Sequence, residues 1–341
     1  MKNKFLYIVS ILFLLCSCGN KQSRSAATEK DGGQLPKVSL RQEWFPNSNY
    51  CGAVFAKEKF AKENGIELEI VQGAENVDPI KMVISGQNDF GDAGADMVIK
   101  AIAKGADLVI VGVVNVNSPT CFISKKEKNI KTPLDFVNRT IGVLSGTNTE
   151  YIYKALVNEL NIDRKKLKEI DIPFDLGTFI LDKYDVRPAF VYDEPVSLDL
   201  QNIEYNIIKP KDYGISFLGT VYFTTRKMIV ERPKEVQAFV NSIADGWKAT
   251  VRYPHEAIEL LEKEYADINP ERELSSLLKG KEYYSGKDGR ILWADNTDWD
   301  GMISVLKKLG EIKDVDIKRH IDNSFLKKYE QQIEDKGNRW K

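Results

Sequence analysis

Four short segments carry residue types and spacings suited to holding a small molecule. In the first, Trp44-Phe45-Pro46-Asn47-Ser48-Asn49-Tyr50, an indole and a phenol lie among side-chain amides. Aromatic faces stack on a flat ligand while amides supply donors and acceptors. The plainer alternative is a Pro-Asn turn with Trp44 and Tyr50 filling core. The second, Gly91-Asp92-Ala93-Gly94-Ala95-Asp96, sets two carboxyls four apart at a strand-to-helix turn, where a helix cap explains one of them as well as a ligand does. The third, Ser145-Gly146-Thr147-Asn148-Thr149, opens a helix whose unpaired amides and positive dipole end favour an anionic or strongly polar group. Capping by Thr147 or Asn148 accounts for it equally well. The fourth, Tyr192-Asp193-Glu194-Pro195, is an acidic cluster after an apolar strand. Paired carboxyls suit acid–base work, but without a nucleophile or metal motif beside them Glu194 reads as a ligand contact. There it would accept two charge-assisted hydrogen bonds from a ring nitrogen and a neighbouring amino group. The bland account is a charge stabilising the amino end of a helix. The candidate binding set is therefore Trp44, Asn47, Tyr50, Asp92, Ser145, Gly146, Thr147, Asn148, Tyr192 and Glu194.

No catalytic residue, metal ligand or cofactor is expected. The two histidines, His255 and His320, fall in late, charged helical stretches and read as surface residues. No CxxC, HExxH, GxSxG or GxxxxGK[ST] motif occurs, and the order of residues offers no cluster of metal ligands.

The elements that must position these segments alternate in period. Residues 38–41, 66–71, 90, 108–114, 140–144, 170–172, 189–192, 205–208 and 217–224 read as strands or extended chain. Helical spacing covers 49–63, 78–85, 95–104, 148–160, 234–250, 254–264, 299–309 and 323–334. A further helix start is read at Thr132, with Pro133 in the first helical position. Such alternation builds an α/β fold of mostly parallel sheets covered on both faces. The candidate segments sit at carboxyl ends of strands, where open α/β sheets bind ligands.

The amino-terminal residues address location. Lys2 and Lys4 precede an apolar run, Phe5 to Leu15, broken only by Ser10, and then Cys16-Ser17-Cys18. The run is too short to span ~30 Å of hydrocarbon as a helix and has the layout of a secretory signal over residues 1–17. Its ending resembles the bacterial lipoprotein box, which implies cleavage before Cys18 and lipid on its sulfur. An ordinary cleaved signal or a hydrophobic anchor is the plainer reading. Residues 18–36 are too polar to bury a core and read as a flexible leash. The expected location is the cell membrane, lipid-anchored and facing the periplasm or exterior, which argues against ATP-dependent chemistry. The chain balances 49 basic against 50 acidic residues, and removal of Lys2 and Lys4 leaves 47 against 50. No basic stripe marks a nucleic-acid binder. Beyond Cys18, Cys51 and Cys121 either pair or remain two reduced buried thiols. Roughly 300 folded residues suggest two lobes.

Residues 40–52 (LRQEWFPNSNYCG), 78–91 (DPIKMVISGQNDFG), 191–198 (VYDEPVSL), 231–261 and 294–325 together resemble bacterial solute-binding proteins of ABC importers. The branch is that of thiamine-pyrimidine-precursor binders and their sulfonate/nitrate-type relatives. Over residues 37–328 the resemblance implies a two-lobed type II periplasmic-binding fold, each lobe a mostly parallel sheet flanked by helices. Lobe 1 would be 37–123 plus 225–330 and lobe 2 would be 124–224, joined by two hinge crossovers, with a polar tail at 331–341. It further implies capture of a small-molecule ligand between lobes that close by hinge motion, delivery to a membrane permease, and a monomer. Tyr50 stands where the family has a histidine, and Ser145–Asn148 is closer to the sulfonate-type members. Ligands in view are a thiamine-type aminopyrimidine, then a sulfonate, nitrate or other oxyanion, then a riboflavin-like solute. The competing class is a pyrimidine synthase of the same fold, which needs a first-lobe histidine and a cysteine-rich loop. A sensor or adhesion role is a third reading.

Overall fold

The computed structural model describes residues 34–286, 288–313 and 316–335. The signal at 1–17, Cys18, the leash as far as 33 and the tail from 336 onward lie outside the described residues.

Strand β1 (Lys37–Arg41) leads through a 3-10 turn at Ser48–Tyr50 into α1 (Cys51–Phe55), which continues as a π turn over Ala56–Phe60. Then follow β2 (Glu67–Val71), α2 (Pro79–Ile84), β3 (Phe90–Gly94), α3 (Ala95–Ala103) and β4 (Leu108–Val113). Next come β5 (Thr120–Lys125), β6 (Thr140–Val143), α4 (Asn148–Glu159), β7 (Lys168–Asp171), α5 (Gly177–Ile180), β8 (Arg187–Phe190), α6 (Glu194–Leu200) and β9 (Tyr205–Ile208). Strand β10 (Thr220–Thr225) precedes α7 (Arg226–Glu231), α8 (Pro233–Arg252), α9 (Pro254–Glu264), α10 (Pro270–Gly280), α11 (Asn296–Lys308) and α12 (Ser324–Asp335).

Five strands form one sheet in the order β2-β1-β3-β10-β4, three form another in the order β8-β5-β9, and β6 pairs with β7. The expected parallel pairing holds for β1 with β2 and β3 and for β6 with β7. Strand β10 instead runs antiparallel to β3 and β4, and β5 antiparallel to β8 and β9. The five-stranded sheet is therefore mixed, and the three-stranded one is wholly antiparallel. Strand β4 is apolar and buried at every position, so both of its faces are covered.

The chain leaves the first sheet after Val113 and returns at Thr220. The two passes run beside each other, with Ser118 N donating to Phe217 O at 2.7 Å, Gly219 N to Asn115 O at 2.8 Å and Val114 N to Thr220 O at 2.8 Å. Boundaries at 123/124 and 224/225 thus fall inside β5 and β10. Periodicity carries no sign of which sheet a strand joins. Helix α12 runs to Asp335, past the residue at which a tail was expected, because Phe325, Leu326 and Tyr329 anchor it in the core.

Helix α8 buries Val236, Phe239, Val240, Ile243 and Trp247 on one face, as its spacing predicts. It crosses α1 so closely that a Cβ on Gly52 would lie 2.3 Å from Trp247 Cδ2. The expected helix at Thr132 is a single 3-10 turn, Pro133–Phe136, closed by a capping box with Asp135. Cys51 and Cys121 are both buried and unpaired.

Candidate functional site

A cavity of about 510 Å³ opens beyond the carboxyl ends of β1 and β3, within the range of small-molecule sites. Every member of the candidate set except Ser145 lines it. Ser145 instead turns its hydroxyl onto the Asp171 carboxylate. Several of the others line the cavity with side chains already engaged. Asn47 caps its own turn, Oδ1 accepting from Asn49 N at 2.9 Å and Nδ2 donating to Phe45 O at 3.1 Å. Tyr50 is buried in the core, and its hydroxyl accepts from Trp44 N at 2.8 Å. Thr147 donates to Leu144 O at 2.7 Å. The amide of Gly146 donates to Glu150 Oε2 at 2.7 Å, so a carboxylate of the same helix already sits at the amino end of α4.

Trp44 is half-buried, with the Phe174 ring 5.0 Å from its own at 55°. These two rings touch each other and both line the cavity, Trp44 after β1 and Phe174 before α5. Close passage of the β2–α2 loop holds the backbone ahead of Trp44 in place: a Cβ on Gly73 would lie 2.4 Å from Gln42 O and from Trp44 N. Tyr192 is buried beside Tyr284, centroids 6.1 Å apart.

Glu194 departs from the expected free acceptor. Its Oε1 accepts from Arg187 Nη2 at 3.2 Å and its Oε2 from Phe190 N at 2.9 Å. Burial and the neighbouring Asp193 carboxylate push the Glu194 carboxyl up, and the Arg187 guanidinium opposes them. Arg187 has no exposed surface and also donates to Asp175 O at 2.9 Å and Phe174 O at 3.1 Å. Asp193 is likewise paired, with Arg272 of α10. Arg272 donates further to Ser197 Oγ at 3.2 Å and to Glu273 Oε1 at 2.5 Å, and Glu273 Oε2 accepts from Ser48 N at 2.6 Å.

The uncommitted polarity lies on the opposite wall. Asp92 sits inside β3, not in the turn after it, and accepts from Glu43 N at 3.0 Å through Oδ1. Its Oδ2 and both oxygens of Asp96 are buried without a hydrogen-bond partner, as is Asn115 Nδ2. Glu43 Oε2 accepts from Gly94 N at 3.1 Å. Burial first, then the Asp92 and Asp96 charges, push Glu43 up to about 8. Burial raises Asp92 to about 7 against the pull of the Glu43 amide. It raises Asp96 to about 6, opposed by the first-turn amides of α3 and by Lys100. Sequence reasoning missed Glu43, whose one signal was its place beside Trp44, and left Asp96 outside the candidate set. It also missed Phe174 and all of α10.

The profile of the NMT1/THI5-like family matches residues 47–257. The chain belongs to this family. A formylaminopyrimidine-binding protein of Halalkalibacterium halodurans is 26% identical over 87% of this chain and 95% of its own. A 4-amino-5-hydroxymethyl-2-methylpyrimidine phosphate synthase of Legionella pneumophila is 24% identical over 85% of this chain and 92% of its own. Among solved structures, a putative sulfonate ABC transporter's periplasmic sulfonate-binding protein from Methylobacillus flagellatus superposes with a TM-score of 0.68. It is 15% identical and covers 89% of this chain and 96% of that one. The fold of this NMT1/THI5-like chain is thus that of the periplasmic binding proteins. The family match takes in Asp92, Asp96, Tyr192 and Glu194 but stops short of Glu43, Trp44 and Arg272.

Proposed function

We propose that this protein is the extracytoplasmic solute-binding component of an ABC importer. It captures a small nitrogen heteroaromatic solute of the thiamine-pyrimidine-precursor type and delivers it to a membrane permease. One observation carries the choice of solute: among the described residues the cavity lining holds six carboxyl side chains, Glu43, Glu75, Asp92, Asp96, Asp193 and Glu194, and no lysine, arginine or histidine. A sulfonate or nitrate would find no cationic side chain in that lining to pair with, and the amino end of α4 is occupied by Glu150. A flat ring with N–H donors finds aromatic faces in Trp44, Phe174 and Tyr192 and acceptors in the carboxyls. The name of the Halalkalibacterium relative supports the same class.

Binding is preferred over the synthase activity named for the Legionella relative because neither histidine lines the cavity. His255 is exposed at the start of α9, and His320 Nδ1 lies 2.7 Å from Leu108 O. Two lobes would close about the solute, with hinges where the chain changes sheet, at 114–119 and 209–219, and the protein would act as a monomer. A lipid on Cys18 would hold it at the membrane. A fatty-acid analogue should then label the wild type and not Cys18→Ala, and an unlabelled wild type rules the anchor out.

Thermal unfolding is the test of ligand class, with aminopyrimidines, thiamine, taurine, nitrate and riboflavin as probes. An aminopyrimidine should raise the midpoint in a concentration-dependent way, as for any ligand that binds only the folded state. Stabilisation by taurine or nitrate and by no pyrimidine overturns the solute class. Turnover of a bound pyrimidine precursor would overturn the carrier role.

A further inference from the structure

We propose that Glu43, Asp92 and Asp96 form a proton-holding wall that reads the ring-nitrogen-plus-amino edge of the ligand. One carboxyl donates its O–H to the ring nitrogen while a neighbouring carboxylate accepts the exocyclic N–H. This deepens the functional reading above and rests on it. The first support is geometric: these side chains approach one another from β3, from α3 and from the turn after β1, and all three line the cavity. The second is independent of that clustering. Asp92 Oδ2 and both Asp96 oxygens are buried with no partner, a state that costs each group its desolvation until something else supplies a hydrogen bond. Glu194, the alternative reader of that edge, already uses one oxygen on Arg187 and the other on Phe190 N.

The surroundings make a retained proton reasonable. Asp78 at the cap of α2 adds negative charge near Glu43. Tyr222 of β10, and Tyr50 and Tyr265, are phenols whose own ionisation is suppressed by burial and by Asp92. Lys100 of α3 faces Asp96, but it is committed to Glu311 at 3.0 Å and to the Tyr151 hydroxyl. Burial holds the three carboxyls above the ordinary range, and the Asp92 and Asp96 charges add to it at Glu43, highest at about 8. Below about pH 8 the free protein therefore holds the proton the ligand needs. Above it the proton must be taken from solvent on binding.

The probe is 4-amino-5-hydroxymethyl-2-methylpyrimidine, titrated calorimetrically into the full-length protein in buffers of differing ionisation enthalpy. Net uptake should approach one proton per ligand near pH 9 and fall toward zero near pH 7, with affinity dropping about tenfold per pH unit above 8. Glu43→Gln keeps a permanent N–H donor, so its uptake should vanish and its affinity should become flat from pH 8 to 9.5. Asp96→Asn, which removes an acceptor, should weaken binding at least fivefold at pH 7. Wild-type binding with no proton uptake and with both variants within twofold overturns the wall while leaving the pyrimidine reading intact. No wild-type binding of any pyrimidine at any pH overturns both.

Discussion

Replacing Arg187 by methionine tests how the second-sheet side of the cavity is held. The guanidinium is fully buried and spends its donors on Pro188 O at 3.2 Å, Asp175 O at 2.9 Å, Phe174 O at 3.1 Å and Glu194 Oε1 at 3.2 Å. Methionine approximates the length of the stem but supplies none of these donors. Removing one partner of a buried ion pair costs about 3–5 kcal/mol, because the other charge is left uncompensated, and the freed carbonyls before α5 add to the loss. The variant can relieve part of the cost by protonating Glu194. In the absence of Arg187 its folded-state pKa rises further above the unfolded value, so the native state binds more protons than the unfolded one and stability falls as pH rises. The gap between variant and wild type should therefore widen from pH 5.5 to pH 8.5. Urea unfolding with linear extrapolation measures it, and Glu194→Gln on the Arg187→Met background should recover part of the loss at pH 8.5. A cost below about 1 kcal/mol at pH 8.5, or one that is the same at both pH values, would refute the buried-pair argument.

Three further outcomes are expected. Trp44→Ala should weaken aminopyrimidine binding at least tenfold in calorimetry, since base–aromatic stacking is worth about 1–3 kcal/mol; unchanged affinity would mean that Trp44 only packs against Phe174. Gly52→Ala should lower the urea midpoint sharply, because the added Cβ would lie 2.3 Å from Trp247 Cδ2 and α1 must move off α8. Wild-type stability without ligand should fall as pH rises from 5.5 to 8.5, because Glu43, Asp92 and Asp96 keep protons in the folded state that the unfolded chain has already lost. Asp92→Asn should flatten that slope, on the order of 1 kcal/mol per pKa unit removed, as read from urea unfolding at each pH.

Local patterning decided a good deal. The spacing of Val236, Phe239, Ile243 and Trp247 specifies a helix with one buried face, and Pro254 with an apolar stripe specifies α9, whichever neighbours they meet. The alternation of Leu68 and Ile70 with glutamates likewise specifies a half-buried strand. Helix α10 escaped because its core-facing side is partly polar. Glu273 and Ser276 are buried there while Leu278 is half exposed, so its pattern does not separate an inside from an outside.

The cavity was legible as turns, because turns after strands carry recognisable aromatics, amides and acids. What each side chain does in the cavity was not. Asn47 and Glu194 look like free acceptors in sequence, but their partners are another turn residue in one case and a buried arginine in the other. Arg272 reaches Asp193, 79 positions away, and Glu43 approaches Asp92, 49 positions away. Sequence by itself settled the long amphipathic helices and many of the strands, since those depend on neighbours a few positions apart. Only the tertiary structure decided which carboxyls are paired and which keep a proton, because burial and charge at these groups come from strands and helices that meet solely on folding.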